Sequence, residues 1–347
     1  MEEQQHSTAG LNTSQFHALT YPRLQLTDNT LDDNLPIQPK CHIETHTSLT
    51  VDLGSLDILP QELLDYILPQ LDLRTLTDFR RVNRRAFQLV ASLPQYKAIN
   101  THARDALRGI LATGTGRSIT CETLYSTICI AECEQCGDFG GYLYILTCKR
   151  VCYLCFTLDR AYLPLFYTQV IRKFGLSRQM AETLPQMKSI PGIYTPHESK
   201  YRERLALVDV NVARRAGIAL HGSAAAMEKY KSDMASQKIL EYKNQLLQQS
   251  TDLSATPPSQ YEGPFDRQCR DPFRYMATVR TPWLKRISQQ VELGSYCTGC
   301  VKNNLSGPRH MNSRRKFTIG SFNEHLRQCG SIKNGKHQPE HESTVAQ

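Results

Sequence analysis

Cys133 and Cys136 form one C-x-x-C pair and Cys152 and Cys155 another, with fifteen residues between Cys136 and Cys152. Two residues between thiols let a tight turn aim both sulfurs at one ion, and two such pairs supply the four soft ligands of a tetrahedral site at about 2.3 Å each. Gly137 relieves the backbone after the first turn, Phe139, Gly140 and Gly141 mark a second bend, and the β-prone run 142–146 returns the chain towards the second pair. Structural zinc accounts for this spacing better than redox chemistry does. A catalytic zinc would want an open coordination position, which four thiolates close. Cys148 reads as a buried or spare thiol; it and, more weakly, Cys129 stay open as alternatives to a predicted ligand.

A second constellation lies near the end of the sequence. Cys297-Thr-Gly-Cys300 is another knuckle, with Gly299 permitting the turn, and His325 and Cys329 lie four apart, so on a helix they share one face and can reach one ion. Ser321 and Glu324 are spaced as a capping box for that helix, and Phe317, Phe322 and Leu326 offer an apolar lid. The predicted ligands are therefore Cys133, Cys136, Cys152 and Cys155 for one zinc ion and Cys297, Cys300, His325 and Cys329 for a second. The gap between Cys300 and His325 carries Arg309, His310, Arg314, Arg315 and Lys316 and reads as a solvated basic loop.

The 347 residues are enough to bury a core without covalent staples, so stability is not the obvious reason for twelve cysteines. MEEQQHSTAG has neither a basic nor an apolar signal region, and no run approaches the roughly 18 apolar residues of a membrane span. The expectation is an intracellular protein, cytoplasmic or nuclear, in which clustered cysteines serve metals rather than disulfides. Residues 1–60 carry two basic and eight acidic side chains, a net −6, which against the whole-chain +8 leaves +14 on the remainder. A basic body attracts acidic partners, nucleic acid among them, but no finger repeat or aromatic platform accompanies it. No phosphate loop, nucleophile elbow, kinase set or dinucleotide fingerprint is present, so no catalytic residue is assigned and a non-enzymatic role is expected.

Helices must dominate the first third. Pro60 suits a first helical position, Glu62 favours a helix start, and Leu63, Leu64, Ile67 and Leu68 make an apolar stripe that Pro69 should end. Asp72 can cap a second helix displaying Leu73, Leu76, Phe79 and Val82, and Asn83 a third with Ala86, Phe87 and Val90 inward. A long polar helix is expected over about 223–248, and the Pro- and Ser-rich stretch that follows reads as a linker.

The residue order in this first third, Leu59-Pro60-x-Glu62-Leu63, Ile67-Leu68-x-x-Leu71, Leu76 and Arg80-x-Val82-Asn83-Arg84, closely resembles an F-box. Together with the block 120–156, LPQMKSIPGIY at 184–194, the run from Pro282-Trp283-Leu284 to Cys300 and the segment from Phe317 to Cys329, it is similar to fungal F-box proteins with zinc-binding cysteine motifs. The resemblance implies a three-helix motif that docks a Skp-type adaptor and, through it, a cullin, leaving the rest of the chain to recruit an unknown protein substrate. By the same resemblance Leu59, Pro60, Leu63, Ile67, Leu68, Leu71, Leu76 and Val82 are shared between packing and adaptor contact. The charge of Arg80, Arg81, Arg84 and Arg85 fits either steering of an acidic partner or a solvated helix face. After Cys155 the next cysteine is Cys269, so the eight-ligand ladder of a RING module is not present.

The expected architecture is mainly α, an irregular α+β fold with short β-hairpins. It divides into a disordered lead over 1–53, the F-box over 54–100, a helical region with the four-cysteine site over 101–250, a linker over 251–265, a C-terminal region with the second site over 266–332 and a disordered tail over 333–347. The expected function is a non-catalytic substrate adaptor of a cullin-based ubiquitin ligase, with no membrane partner. The alternatives are a zinc-dependent nucleic-acid-binding regulator and an F-box scaffold outside any ligase.

Overall fold

Short polar side chains open several of the helices of the first third. Asp72 accepts a hydrogen bond from the Thr75 amide at 2.9 Å and starts Leu73–Phe79, and Asn83 accepts from the Ala86 amide at 2.8 Å and starts Arg84–Ser92. The helix Gln61–Ile67 precedes them, with Pro60 just outside its first turn. Pro69 does not end the coil at once: the chain tightens into a 3-10 turn over Leu68–Gln70 before Asp72. Pro94–His102, Arg104–Thr113 and Cys121–Ile128 follow, and Leu64, Leu68, Leu73, Leu76, Ile99 and Leu124 are buried together in the largest core.

The computed structural model describes residues 11–22, 27–37, 52–248, 271–302 and 313–338; the expected linker over 251–265 lies outside them, as do Arg309 and His310. The fold is mainly helical with short antiparallel strand pairs. Tyr142–Tyr144 is the central strand of one three-stranded sheet, with Lys149–Val151 on one side and Thr278–Arg280 on the other. A second sheet orders Leu165–Phe166, Ala206–Val208 and Gln186–Lys188. The helices Tyr167–Phe174, Val210–His221 and the start of Ala224–Gln248 close around Val170, Phe174, Ala213 and Met227 beside it.

Three expectations about organisation are corrected. The residues on the two sides of 251–265 do not form separate regions, because Thr278–Arg280 completes the first sheet and Tyr275, Met276 and Val279 lie in the main core. Two buried arginines stitch the halves: Arg150 donates to the carbonyls of Thr281 at 3.1 Å and Pro282 at 3.0 Å, and Arg274 donates to those of Phe156 and Asp159. The lead over 1–53 is folded in its described parts. Asn12 caps Thr13–Leu19, Thr20–Tyr21 pairs with Ser295–Cys297, and Leu31 is fully buried in the main core. Composition understated this segment because its few apolar anchors and its acids meet partners already fixed by the body: Asp28 accepts from Tyr142 Oη at 2.5 Å and pairs with Arg314, while Asp32 and Asp33 hold Arg280.

The basic stretch before His325 is accordingly no solvated loop in its described part. Arg314 sits 3.7 Å over the Tyr153 ring beside Asp28, Arg315 pairs with Asp138 at 2.5 Å, and Lys316 Nζ donates to the Leu293 carbonyl at 3.1 Å. The described part of the expected tail, residues 333–338, is folded: Ile332–Lys333 and Lys336–His337 form a hairpin through Asn334 and Gly335, both at positive φ.

Candidate metal centres

The four sulfurs of Cys133, Cys136, Cys152 and Cys155 lie within 4.8 Å of one another. Cys136 Sγ and Cys152 Sγ are 3.6 Å apart, close to the ~3.8 Å that two thiolates subtend at a tetrahedral ion with bonds of about 2.3 Å. The local chain makes this possible. Cys133 and Cys136 sit on a turn closed by the Gly137 amide donating to the Cys133 carbonyl at 2.9 Å, and Gly137 takes φ +78°, where a side chain is strained. Cys152 is the N-cap of Tyr153–Leu158, and its sulfur accepts from the Cys155 amide at 3.4 Å. The hairpin Tyr142–Tyr144 with Lys149–Val151 brings the second pair back to the first, and the Glu134 amide donating to the Arg150 carbonyl at 2.9 Å ties knuckle to strand.

The second group differs from the expected one in a single ligand. Cys297, Cys300, His325 and His337 converge within 4.8 Å, and Cys329 is not among them. His337 Nε2 lies 3.3 Å from Cys297 Sγ and 3.4 Å from Cys300 Sγ, and His325 Nε2 lies 3.5 Å from Cys300 Sγ. These separations match the ~3.6 Å between a thiolate and an imidazole nitrogen sharing one tetrahedral ion. A carbonyl can only accept, so the 2.8 Å contact between His337 Nδ1 and the Gly330 oxygen makes Nδ1 the donor and leaves the Nε2 lone pair facing the sulfurs. His325 is the buried imidazole of the two, stacked on Phe317 with centroids 4.3 Å apart, and Phe322 closes the apolar side as expected.

Cys329 was attractive because i and i+4 share a helix face, yet it ends the helix Ile319–Cys329, and the chain then folds back through the hairpin to deliver an imidazole instead. That helix also starts earlier than Ser321 and Glu324 suggested. Thr318 is its N-cap and accepts from the Ser321 amide at 3.2 Å, while the Ser321 hydroxyl accepts from the Thr318 amide at 3.0 Å, a capping box shifted by three residues. One local signal pointed to His337: Lys333-Asn334-Gly335-Lys336 is a tight-hairpin sequence, and it sets the register Ile332↔His337.

Neither open alternative at the first site takes a ligand position. Burial pushes the Cys148 thiol up to about 12, and it donates to Thr127 Oγ1 at 3.7 Å on the far side of the hairpin turn. Cys129 ends the helix Cys121–Ile128, where its carbonyl accepts from Trp283 Nε1 at 3.1 Å. Within the groups, a hydrogen bond from the Cys152 thiol holds Cys133 well below the ordinary thiol range, and one from Cys300 pulls Cys297 down to about 3. Each cluster thus already favours a thiolate, and each donor set could hold a metal ion.

Comparison with protein-family models, curated proteins and solved structures gives no match for the chain. The candidate docking residues therefore stand on the structure alone. Leu68 and Leu76 are buried in the main core, Leu59 and Leu71 pack partly against it, and Pro60, Leu63, Ile67 and Val82 are exposed. Of the arginines, Arg80 stacks 4.3 Å over the Phe87 ring and Arg85 pairs with Asp57 at 3.5 Å, whereas Arg81 and Arg84 are exposed.

Gly299 owes its place in the second centre to space. A Cβ built there would stand 2.8 Å from both Cδ2 and Nε2 of His337, a ring held at its other nitrogen by Gly330. Gly299→Ala is expected to push that imidazole out of ligand range and lose one of two bound metal ions per chain, leaving the four-cysteine site loaded. Metal analysis of the purified variant checks this; two ions retained would show that the ring has room.

Proposed function

We propose that the chain is a substrate-recognition subunit of a cullin-type ubiquitin ligase that docks a Skp-type adaptor through residues 55–90. Its body is held by two structural zinc ions. The observation that carries this reading is the exposure of large apolar side chains on the short helices of that segment. Ile58 is 81 % exposed, Tyr66 74 % and Val82 68 %, and Leu63 and Ile67 share the open face of Gln61–Ile67 with Tyr66 while Leu64 and Leu68 fill the core. Asn83 Nδ2 donates to the Asp52 carbonyl at 3.0 Å and Arg85 pairs with Asp57, which keeps the stretch bearing Ile58 beside the start of the third helix. Monomers rarely leave such apolar residues together in water, and a partner groove is the ordinary reason for it. Zinc suits both donor sets, since closed tetrahedral shells of thiolate and imidazole are its structural coordination.

The nucleic-acid reading has less behind it, because Arg314, Arg315 and Lys316 are engaged within the fold rather than offered to phosphates. Among the described residues no helix is long and apolar enough to cross a membrane.

The test is the pair Leu63→Ala and Ile67→Ala. Both side chains are exposed, so truncation leaves the core intact and the melting temperature should hold. Two anchors at about 2 kcal/mol each, discounted for non-additivity, predict adaptor binding at least ~30-fold weaker. Affinity purification with quantitative mass spectrometry should find a Skp-type adaptor and a cullin with the intact chain and neither with the variant. Adaptor without cullin would favour a scaffold, and equal recovery by both proteins would defeat the docking face.

A further inference from the structure

We propose that the cleft between the first cysteine knuckle and the helix Val210–His221 is a binding site for an oxyanion, a phosphate monoester or a carboxylate, presented on a peptide. The cleft has a volume of about 300 Å³ and is lined by Lys149, Arg214 and Arg215 as its cations, with Thr147, Tyr162 and Asn211 as further polar walls. It also contains two acids, Glu134 and Asp209, and their state decides the sign of the site.

Both acids are already committed. Glu134 is paired with Lys149, and Asp209 caps its helix by accepting from the Val212 amide at 2.8 Å and also accepts from Tyr144 Oη at 3.1 Å. The helix start is therefore occupied, and attraction must come from side chains. Arg214 and Arg215 are both exposed, and neither makes a hydrogen bond or ion pair among the described residues; Glu228, on which Arg214 acts at longer range, is itself bound to Lys231. Thr147 Oγ1 is buried at the cleft wall without a hydrogen-bond partner, a donor with nothing to donate to. Two guanidinium groups with no hydrogen bond among the described residues and an orphan hydroxyl can together recognise the oxygens of one anionic centre. Loaded with a divalent ion, the four-thiolate cluster beside Glu134 and Gln135 carries a net negative charge. A ligand must therefore earn its place by direct bonds to these donors, which favours a compact oxyanion over a diffuse acidic surface.

The cleft stands apart from the docking helices, so its occupancy can be measured whether or not an adaptor binds. Full-length metal-loaded protein is titrated with inorganic phosphate, a phosphoserine hexapeptide and the same peptide with aspartate in place of phosphoserine, using calorimetry at fixed ionic strength. The phosphopeptide is expected to bind, with Arg214→Gln/Arg215→Gln at least about tenfold weaker, whereas Arg172→Gln/Arg202→Gln, of equal charge change at exposed positions elsewhere, stays within twofold. Stronger binding of the phosphopeptide than of free phosphate assigns the site to a peptide; equal binding reduces it to a phosphate site and overturns the peptide assignment. An aspartate peptide that binds as well as the phosphopeptide makes a carboxylate the ligand. No binding by any probe, or equal loss in the two double variants, overturns the site.

Discussion

Chelation of the purified protein is expected to release two metal ions per chain and to abolish cooperative folding of the main body. A structural zinc contributes roughly 10–16 kcal/mol of apparent binding energy, as much as the roughly 5–15 kcal/mol that holds a whole domain together. The first centre is positioned to exert that leverage. Cys133 and Cys152 are buried members of the largest core, and their knuckles tie the sheet Tyr142–Tyr144 with Lys149–Val151 to the helix Tyr153–Leu158. Removing the ion leaves four thiols crowded within 4.8 Å with nothing to neutralise the thiolates among them. Cys136→Ser isolates the ligand role, since Cys136 is the exposed member of the group and its replacement opens no cavity. The variant should carry one ion in place of two and lose its sharp thermal transition by near-ultraviolet circular dichroism. Because thiolates and imidazole must be deprotonated to bind, both ions should leave more easily as pH falls. A chelated protein that melts at the same temperature as the loaded one would remove the metals from the account of the fold.

His337→Ala is expected to strip the second ion alone, and Cys329→Ser to retain both. The imidazole at 337 is only partly buried and comes from a two-stranded hairpin, so its removal makes little hole, yet it takes away a nitrogen within 3.4 Å of both sulfurs of the second centre. Loss of a direct ligand should exceed the roughly 10- to 100-fold drop in metal affinity that loss of an outer partner brings. The damage should spread to the segments Thr13–Leu19 and Thr20–Tyr21 and spare the main core. Phe16 packs edge-on against Phe322 at 5.4 Å in the small cluster with Cys297 and Cys300, whereas the main core shares no residue with that cluster. Hydrogen exchange would show amides of 13–21 and 319–337 losing protection while those of 142–151 keep it. If Cys329→Ser releases the ion and His337→Ala does not, the ligand set is the one the helix spacing suggested.

What could be read without coordinates was what neighbouring residues decide between themselves. Asp72 and Asn83 cap helices because a short oxygen-bearing side chain meets amides two or three residues on, and Cys133 with Cys136 and Cys152 with Cys155 form knuckles because a turn of that length aims two sulfurs one way. The even burial of Leu68 and Leu76 against the exposure of Leu63 and Val82 was not legible, since an apolar stripe wider than one contact does not say which edge meets the core.

The rest depended on chain segments far apart. Residues 11–22 and 27–37 look too polar to fold, and alone they have little to bury; they are ordered because Arg280, Arg314 and the Cys297 strand wait for them roughly 250 to 290 positions away. The fourth ligand of the second centre was decided the same way. Periodicity put Cys329 beside His325, but which side chain reaches an ion depends on where the chain goes after the helix, and the Asn334-Gly335 turn sends it back with His337 in front. Local order follows from local bonds, whereas ligand choice and closure of the sheet by Thr278–Arg280 follow from distances between segments, which exist only once the body has folded.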